Sequence, residues 1–243
     1  MYLSKNFNWL NRTELLIGQE KLNNLKQSHV LVVGLGGVGA YSAEILARAG
    51  IGELTIVDGD IIKESNRNRQ LLALCSTENK LKANLMKDRL LDINPAIQVH
   101  TISKFIQEDD IIKILEVKYD YVVDAIDSIT PKTILIVNTL LNKYPLISNM
   151  GAGGKIDPFK IKIDDISRSF NCPLARVIRN NLKKHGITTG FDVVFSEEPV
   201  NKKSVLLVND EKNKKSTAGT ISYIPAMFGM FSAFKVIQKL STL

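Results

Sequence analysis

Residues 29–60, HVLVVGLGGVGAYSAEILARAGIGELTIVDGD, lead an apolar run through a turn with glycine at 34, 36, 37 and 39 into a helical pattern and a second apolar run. Strand, Gly-x-Gly-Gly-x-Gly turn, helix and strand in that order predict a βαβ unit that brings backbone close to phosphates. Gly34, Gly36, Gly37 and Gly39 supply the close approach, and the following helix offers its N-terminus to negative charge. Asp58 ends the second strand, where a carboxylate can accept from ribose hydroxyls. No GxxxxGK[ST] segment occurs, so this is not a Walker loop.

The alternation continues along the chain. LTIV precedes a polar loop and TENKLKANLMKDRLLDI, IQVHT precedes EDDIIKILE, and YVVDA precedes PKTILIVNTLLNK and then PLISN. This predicts an α/β, Rossmann-like, doubly wound fold with a mixed, mainly parallel sheet flanked by helices. Asn94-Pro95 stops the second helix, Pro131 opens the next after Ser128, and GAGG at 151–154 breaks the chain after the fifth strand. KIKI, FDVVF and a closing helix AMFGMFSAFKVIQKL read as an extension of the same sheet. One domain over 1–243 is expected: a helical segment 1–27, a nucleotide-binding core 28–150 and an extension 151–243.

Composition excludes several classes. With 44% hydrophobic and 23% charged residues the chain reads as an ordinary globular protein. It has no apolar run of membrane-spanning length and no signal-peptide pattern at its start, so a cytoplasmic location is expected. Cys75 and Cys172 are too few for a four-cysteine zinc site or a disulfide framework, and both read as free thiols. His29, His100 and His185 show no metal or triad spacing and receive no catalytic role.

The net charge of +7 is uneven along the chain. Residues 1–167 hold 20 Lys+Arg and 20 Asp+Glu, whereas residues 168–243 hold 12 and 5. Arg168, Arg176, Arg179, Lys183 and Lys184 occur without an intervening acid, and Lys212, Lys214 and Lys215 add a second group. On charge alone, a polyanionic partner such as RNA and a solvated lysine-rich surface explain this equally well.

The residues beyond the glycine turn separate dinucleotide from triphosphate chemistry. Asn66, Arg67, Asn68, Arg69 and Gln70 stand just past the DGD segment of Asp58 and Asp60, and Lys82 opens the next helical pattern. Hydride transfer needs no such cluster, although one arginine there can read a 2′-phosphate. Cleavage of a triphosphate does need it, because charge builds on the departing pyrophosphate. Asp124 and Asp127 then lie at the carboxyl edge of the fourth strand. Asp127 reads as the Mg2+ ligand, and Asp124 as a strand-end hydrogen bond or helix cap.

These pieces together resemble the E1-like, or ubiquitin-activating-like, adenylating family. The carrying segments are NRTELLIG, the glycine turn through VDGD, NRNRQ, KLKAN leading to INP, and DAIDS. The resemblance implies Asp58 on the ribose, Asn66 and Arg69 on the phosphates, Lys82 on the phosphates and transition state, and Asp127 on Mg2+, with Asp60 beside the nucleotide. Arg12 matches an arginine that members donate across a homodimer interface to the neighbouring ATP; unaided, it reads only as a surface arginine.

Within that family, VVDAIDSITPKTILI, the stretch from PLISNMGAGGKIDP to KKHGI, FDVVFSEEP and GTISYIPAMFGM resemble the tRNA threonylcarbamoyladenosine dehydratase branch, over essentially the whole chain. That branch implies adenylation of the substrate's threonyl carboxylate by ATP, then ring closure by a nucleophile of its carbamoyl group. Arg168, Arg176, Arg179, Lys183 and Lys184 become the candidate tRNA contacts. The resemblance also admits a monovalent cation, Na+ or K+, and a sulfur-transfer protein as partner. The glycines of MGAGGKIDP either border the substrate or form a strand-to-loop turn, and Cys172 reads as a buried or incidental thiol. The rival readings are adenylation of a sulfur-carrier protein, a nicotinamide-dependent oxidoreductase and a nucleotide-sensing module. Carrier-activating relatives commonly bear a CxxC zinc pair, which is missing from this sequence.

Overall fold

The computed structural model describes residues 9–207 and 216–241; Lys212, Lys214 and Lys215 lie outside them. The sheet has seven strands: β1 (His29–Val33), β2 (Glu53–Val57), β3 (Gln98–Ile102), β4 (Tyr121–Asp124), β5 (Leu146–Asn149), β6 (Ile161–Asp165) and β7 (Asp192–Ser196). Their order is β3-β2-β1-β4-β5-β7-β6, parallel throughout except that β6 runs antiparallel to β7. The mixed, mainly parallel sheet expected from the alternating pattern is therefore what forms.

Its central strands are apolar on both faces because helices cover both. Val30 and Val32 of β1 belong to one core with Leu54, Ile56, Val123 and Phe228; Leu31 and Val33 belong to the other with Val57, Val122, Ile136 and Ile178. The first core lies under α2 (Gln19–Gln27), α3 (Gly39–Ala49), α4 (Lys82–Ile93) and α8 (Tyr223–Ser241). The second lies under α5 (Glu108–Ile114), α6 (Ile129–Leu141) and α7 (Pro173–Lys183). A short α1 (Asn11–Ile17) leads into α2 through Gly18.

Three local differences from the sequence expectation have physical causes. The helix expected from Thr77 starts only at Lys82, because residues 79–80 bond back to the loop: Asn79 N and Ile62 N each donate across at 2.9 Å, to Ile62 O and Lys80 O. Once those backbone groups are spent there, they cannot join a helical ladder. α7 is hidden in the sequence because its apolar stripe is only Ala175, Ile178 and Leu182, set among basic residues. The hairpin of β8 (Val205–Leu207) and β9 (Ser216–Ala218) is too short to show a period.

α8 closes the first face with Ile224, Phe228, Ala233, Val236 and Leu240. Phe228 has no solvent exposure and sits among the strands' apolar side chains. Phe228→Ala is expected to cost about 3–5 kcal/mol, read as a lower urea midpoint at unchanged slope.

Candidate active site

Successive strands run outward from β1 toward β3 on one side and from β4 toward β6 on the other, so the order reverses between β1 and β4. A crevice outside the carboxyl ends of the strands at such a reversal is where α/β sheets bind ligands. The glycine turn occupies this place. Gly34, at φ +91°, donates its N–H to Val57 O at 2.8 Å, and a Cβ on it would stand 2.7 Å from Ala125 O. A Cβ on Gly39, the first residue of α3, would lie 1.8 Å from Gly34 O. The turn can therefore be this tight only with hydrogen at both positions. Pro225 of α8 closes on Gly37 from the far side.

Asp58 braces the turn as well as flanking it. Its Oδ2 accepts from Leu35 N at 2.6 Å and its Oδ1 from Asp60 N at 2.7 Å. Burial pushes the Asp58 carboxyl up, while the Lys82 charge and those two N–H groups pull the other way. Lys82 is buried at the start of α4, and its Nζ lies 2.9 Å from Asp60 Oδ2, which is half in solvent. A desolvated ammonium held beside Asp58 and Asp60 is a fixed cation at the crevice.

Asn66 is buried, its Oδ1 accepting from Lys63 N at 3.1 Å to shape the loop that carries Arg69. The Arg69 carbonyl and Cγ lie 3.2 and 3.6 Å from the position a Gly37 Cβ would take, and Gln70 Nε2 lies 3.8 Å from that of Gly36. Arg69 Nη1 bonds to Ser65 O and Asn68 Oδ1, and Asn68 reaches Thr220 O ahead of α8. Arg67 turns away instead, to Glu64 and to Cys75 Sγ. The fold thus gathers Gly34, Gly36, Gly37, Gly39, Asp58, Asp60, Asn66, Arg69 and Lys82 around one turn.

The loop after β4 completes the crevice. Asp127 is exposed on it, two residues past the Ala125 carbonyl that touches the turn. Asp124 faces inward: its carboxylate meets Lys132 Nζ at 2.7 Å, accepts from Ser148 Oγ at 2.5 Å and takes Ile126 N at 3.0 Å. Both Asp124 and Lys132 are fully buried, and Lys132 Nζ also donates to Ile126 O. Asn149 Nδ2 donates to Asp124 O, and Ser232 of α8 donates to Asn149 Oδ1. Sequence reading missed Lys132, Ser148, Asn149 and Ser232, since the register of β4 on β5 brings in Ser148 and Asn149 and the packing of α6 and α8 on the sheet brings in Lys132 and Ser232.

Other expected residues lie elsewhere. Leu10 packs on Gly50 beyond the last turn of α3, which puts exposed Arg12 at the end of the 11-residue helix remote from the turn. That helix spans about 16 Å, more than an arginine side chain reaches. Arg168 is engaged by Asp164, and Arg179 by the carbonyl and hydroxyl of Ser169. Arg176, Lys183 and Lys184 face solvent along α7. Cys172 is buried at the start of α7, where its Sγ takes Gly151 N at 3.3 Å and Ala175 N at 3.5 Å. Gly153 and Gly154 receive the crossing segments around Ser204 and Ala218, with Gly154 N bonded to Gly219 O, so this glycine run is used as a loop crossing.

A glycine turn at a switch point, braced by a buried carboxylate and flanked by a buried lysine, an arginine and an acidic loop, defines a nucleotide site built for phosphate chemistry. The chain belongs to the ThiF family, whose model matches residues 10–243. It is 40% identical over 236 residues to the tRNA threonylcarbamoyladenosine dehydratase of Bacillus subtilis, covering 94% of this chain and 93% of that one. Crystal structures of E. coli tRNA N6-threonylcarbamoyladenosine dehydratase, TcdA, are similar in fold. The complex with ATP superposes with a TM-score of 0.88 at 34% identity over 99% of this chain and 98% of that one. The complex with AMP gives 0.87 at the same identity and coverage.

The Asp124–Lys132 pair should behave as a buried support of the loop rather than a surface ion pair. Lys132→Met, which strands the Asp124 charge, is expected to lower stability by about 3–5 kcal/mol, and adding Asp124→Asn should recover most of it. Urea titration of the single and double variants checks this.

Proposed function

We propose that the chain is an ATP-dependent tRNA threonylcarbamoyladenosine dehydratase. It converts N6-threonylcarbamoyladenosine at tRNA position 37 to the cyclic form through an acyl adenylate. The observation that carries the reading is buried Lys82 held beside Asp58 and Asp60 at the glycine turn. Hydride transfer has no use for that cation, whereas departing pyrophosphate does. The match to the named dehydratases over nearly the full length supports the choice of substrate.

The residues fit ATP. Glycine at 34 and 39 lets the turn close on itself, a Cβ at Gly36 would meet only Gln70 Nε2 at 3.8 Å so that backbone there stays open to phosphates, and Asp58 stands where a ribose hydroxyl can donate to it. Arg69 and Lys82 face the β- and γ-phosphates. Asp127, an exposed carboxylate on the loop touching the turn, fits Mg2+, which binds through few protein ligands and phosphate oxygens. When bound, the ion would neutralise charge on the pyrophosphate.

In the reaction the threonyl carboxylate attacks the α-phosphorus, the bond to the β-phosphate oxygen breaks, and pyrophosphate leaves against Lys82 and Arg69. The carbamoyl nucleophile then attacks the acyl carbon and loses its proton, and AMP departs with one former carboxylate oxygen. The net loss from the nucleoside is one water. Fixed geometry supplies much of the rate, and no protein thiol is required. That suits a chain whose Cys172 is buried in a helix cap and whose Cys75 lies against Arg67.

The working unit is a homodimer. Arg12 is too far from its own crevice to serve it, and exposed Trp9, Leu15 and Leu16 flank it with apolar surface that a second copy would cover. Arg176 and Lys183 of α7, whose first turn adjoins Gly151 at the sheet's carboxyl edge, and Lys184 just past its end supply phosphate contacts for tRNA. No helix among the described residues is long and apolar enough to cross a membrane.

The test incubates the protein with ATP, Mg2+ and threonylcarbamoyladenosine-bearing tRNA and weighs the nucleoside. The expected product is one water lighter, with AMP released. Lys82→Ala and Asp127→Asn should each lower kcat by about 100-fold or more, with the urea midpoint retained in Asp127→Asn and the native circular dichroism retained in Lys82→Ala. An unchanged nucleoside, with adenylate formed on a sulfur-carrier protein instead, contradicts the reading. Arg12→Ala and Lys82→Ala chains should each be inactive alone and regain activity on mixing, because a mixed dimer holds one intact site. Full activity of Arg12→Ala alone rules out donation in trans.

A further inference from the structure

His29 and Glu53 open β1 and β2, and His100 is the third residue of β3. The register sets His29 beside Glu53 and Thr55 beside His100. Side chains alternate with period two along a strand, so His29 shares a face with Leu31 and Val33, Glu53 with Thr55 and Val57, and His100 with Ile102. Leu31, Val33, Val57 and Ile102 all pack into the core under α5, α6 and α7. Three ligand-type side chains from three adjacent strands thus meet on one face, at the end of the sheet opposite the glycine turn.

Their atoms converge. Glu53 Oε1 lies 2.8 Å from His100 Nε2 and 3.5 Å from His29 Nδ1, and one ligand atom from each residue lies within 4.8 Å of the others. Two ligands at tetrahedral angles around zinc stand about 3.3 Å apart, so small side-chain adjustments reach that geometry. The surroundings orient His29. Its Nε2 meets Thr55 Oγ1 at 2.8 Å, leaving Nδ1 toward Glu53. Tyr119 packs edge-on at 4.7 Å between ring centroids, and Asp120 Oδ2 accepts from the His29 backbone N–H at 2.8 Å. A ligating imidazole is commonly fixed in this way, through a hydrogen bond on its other nitrogen. His100 is half exposed, which leaves the outer side open to water.

We propose that His29, Glu53 and His100 form a transition-metal site of the zinc class, with three protein ligands and a fourth position open to solvent. Two imidazoles and a carboxylate are the donor set of zinc sites that keep an open position. The site ties together the starts of β1, β2 and β3 and stands apart from the adenylating crevice. Chain spacing gave no sign of it, because the ligands come from three strands that only the sheet aligns.

The test titrates Co2+ and then Zn2+ into the full chain carrying Cys75→Ser, which removes the exposed thiol as a competing ligand. One Co2+ per chain should bind with the visible absorption of a four- or five-coordinate site, be displaced by Zn2+, and raise Tm. His100→Ala and Glu53→Gln should remove both signals. Thr55→Val should weaken Zn2+ binding by about 10–100-fold, a loss that a site without an oriented His29 would not show. Failure to bind either ion, or equal Zn2+ affinity in His100→Ala and the parent, overturns the proposal.

Discussion

A Cβ fits neither between Gly39 and the Gly34 carbonyl nor between Gly34 and the Ala125 carbonyl. This contact, made where strand order reverses, sets how close α3 comes to the end of β1 and how close the loop after β4 comes to both. The placement of Asp58 and of the loop that carries Asp127 depends on it. Asp58 reaches Leu35 N only because the turn folds back over β2, and Asp127 borders the crevice only because Ala125 touches the turn.

The groups around the crevice divide into those that face a ligand and those that hold the loops. Asp58, Lys82, Arg69 and Asp127 are the groups proposed to meet ATP and Mg2+. Asp124, Lys132, Ser148, Asn149 and Ser232 form a buried polar chain from β4 through β5 to α8. Such a chain is costly when broken and stabilises when every member is satisfied. It joins the Asp127 loop to the helix whose Pro225 closes on Gly37, so the floor and one wall of the crevice are mechanically linked.

Much of this was legible in the sequence, because strand periodicity and the glycine turn are local. Val30 to Val33 and the turn placed β1, α3 and β2, and the position of Asp58 fixed its side of the crevice. Arg69 and Lys82 were legible as cations following a turn. Asp124 was read as a strand-end hydrogen-bonding group, yet its partner Lys132 was not, since a lysine on a helix is ordinarily solvated and only the zero exposure here reveals it. Arg179, a candidate phosphate contact, also holds Ser169 through Nη1, a bond that charge counting cannot reveal. His29, Glu53 and His100 were invisible for the same reason: their meeting depends on strand register.

Isotope transfer tests whether this crevice activates a carboxylate by adenylation. tRNA carrying heavy oxygen in the threonyl carboxylate is turned over with ordinary ATP, and the AMP is weighed. One heavy oxygen is expected in each AMP released with cyclic product. Cyclic product accompanied by unlabelled AMP would contradict adenylation.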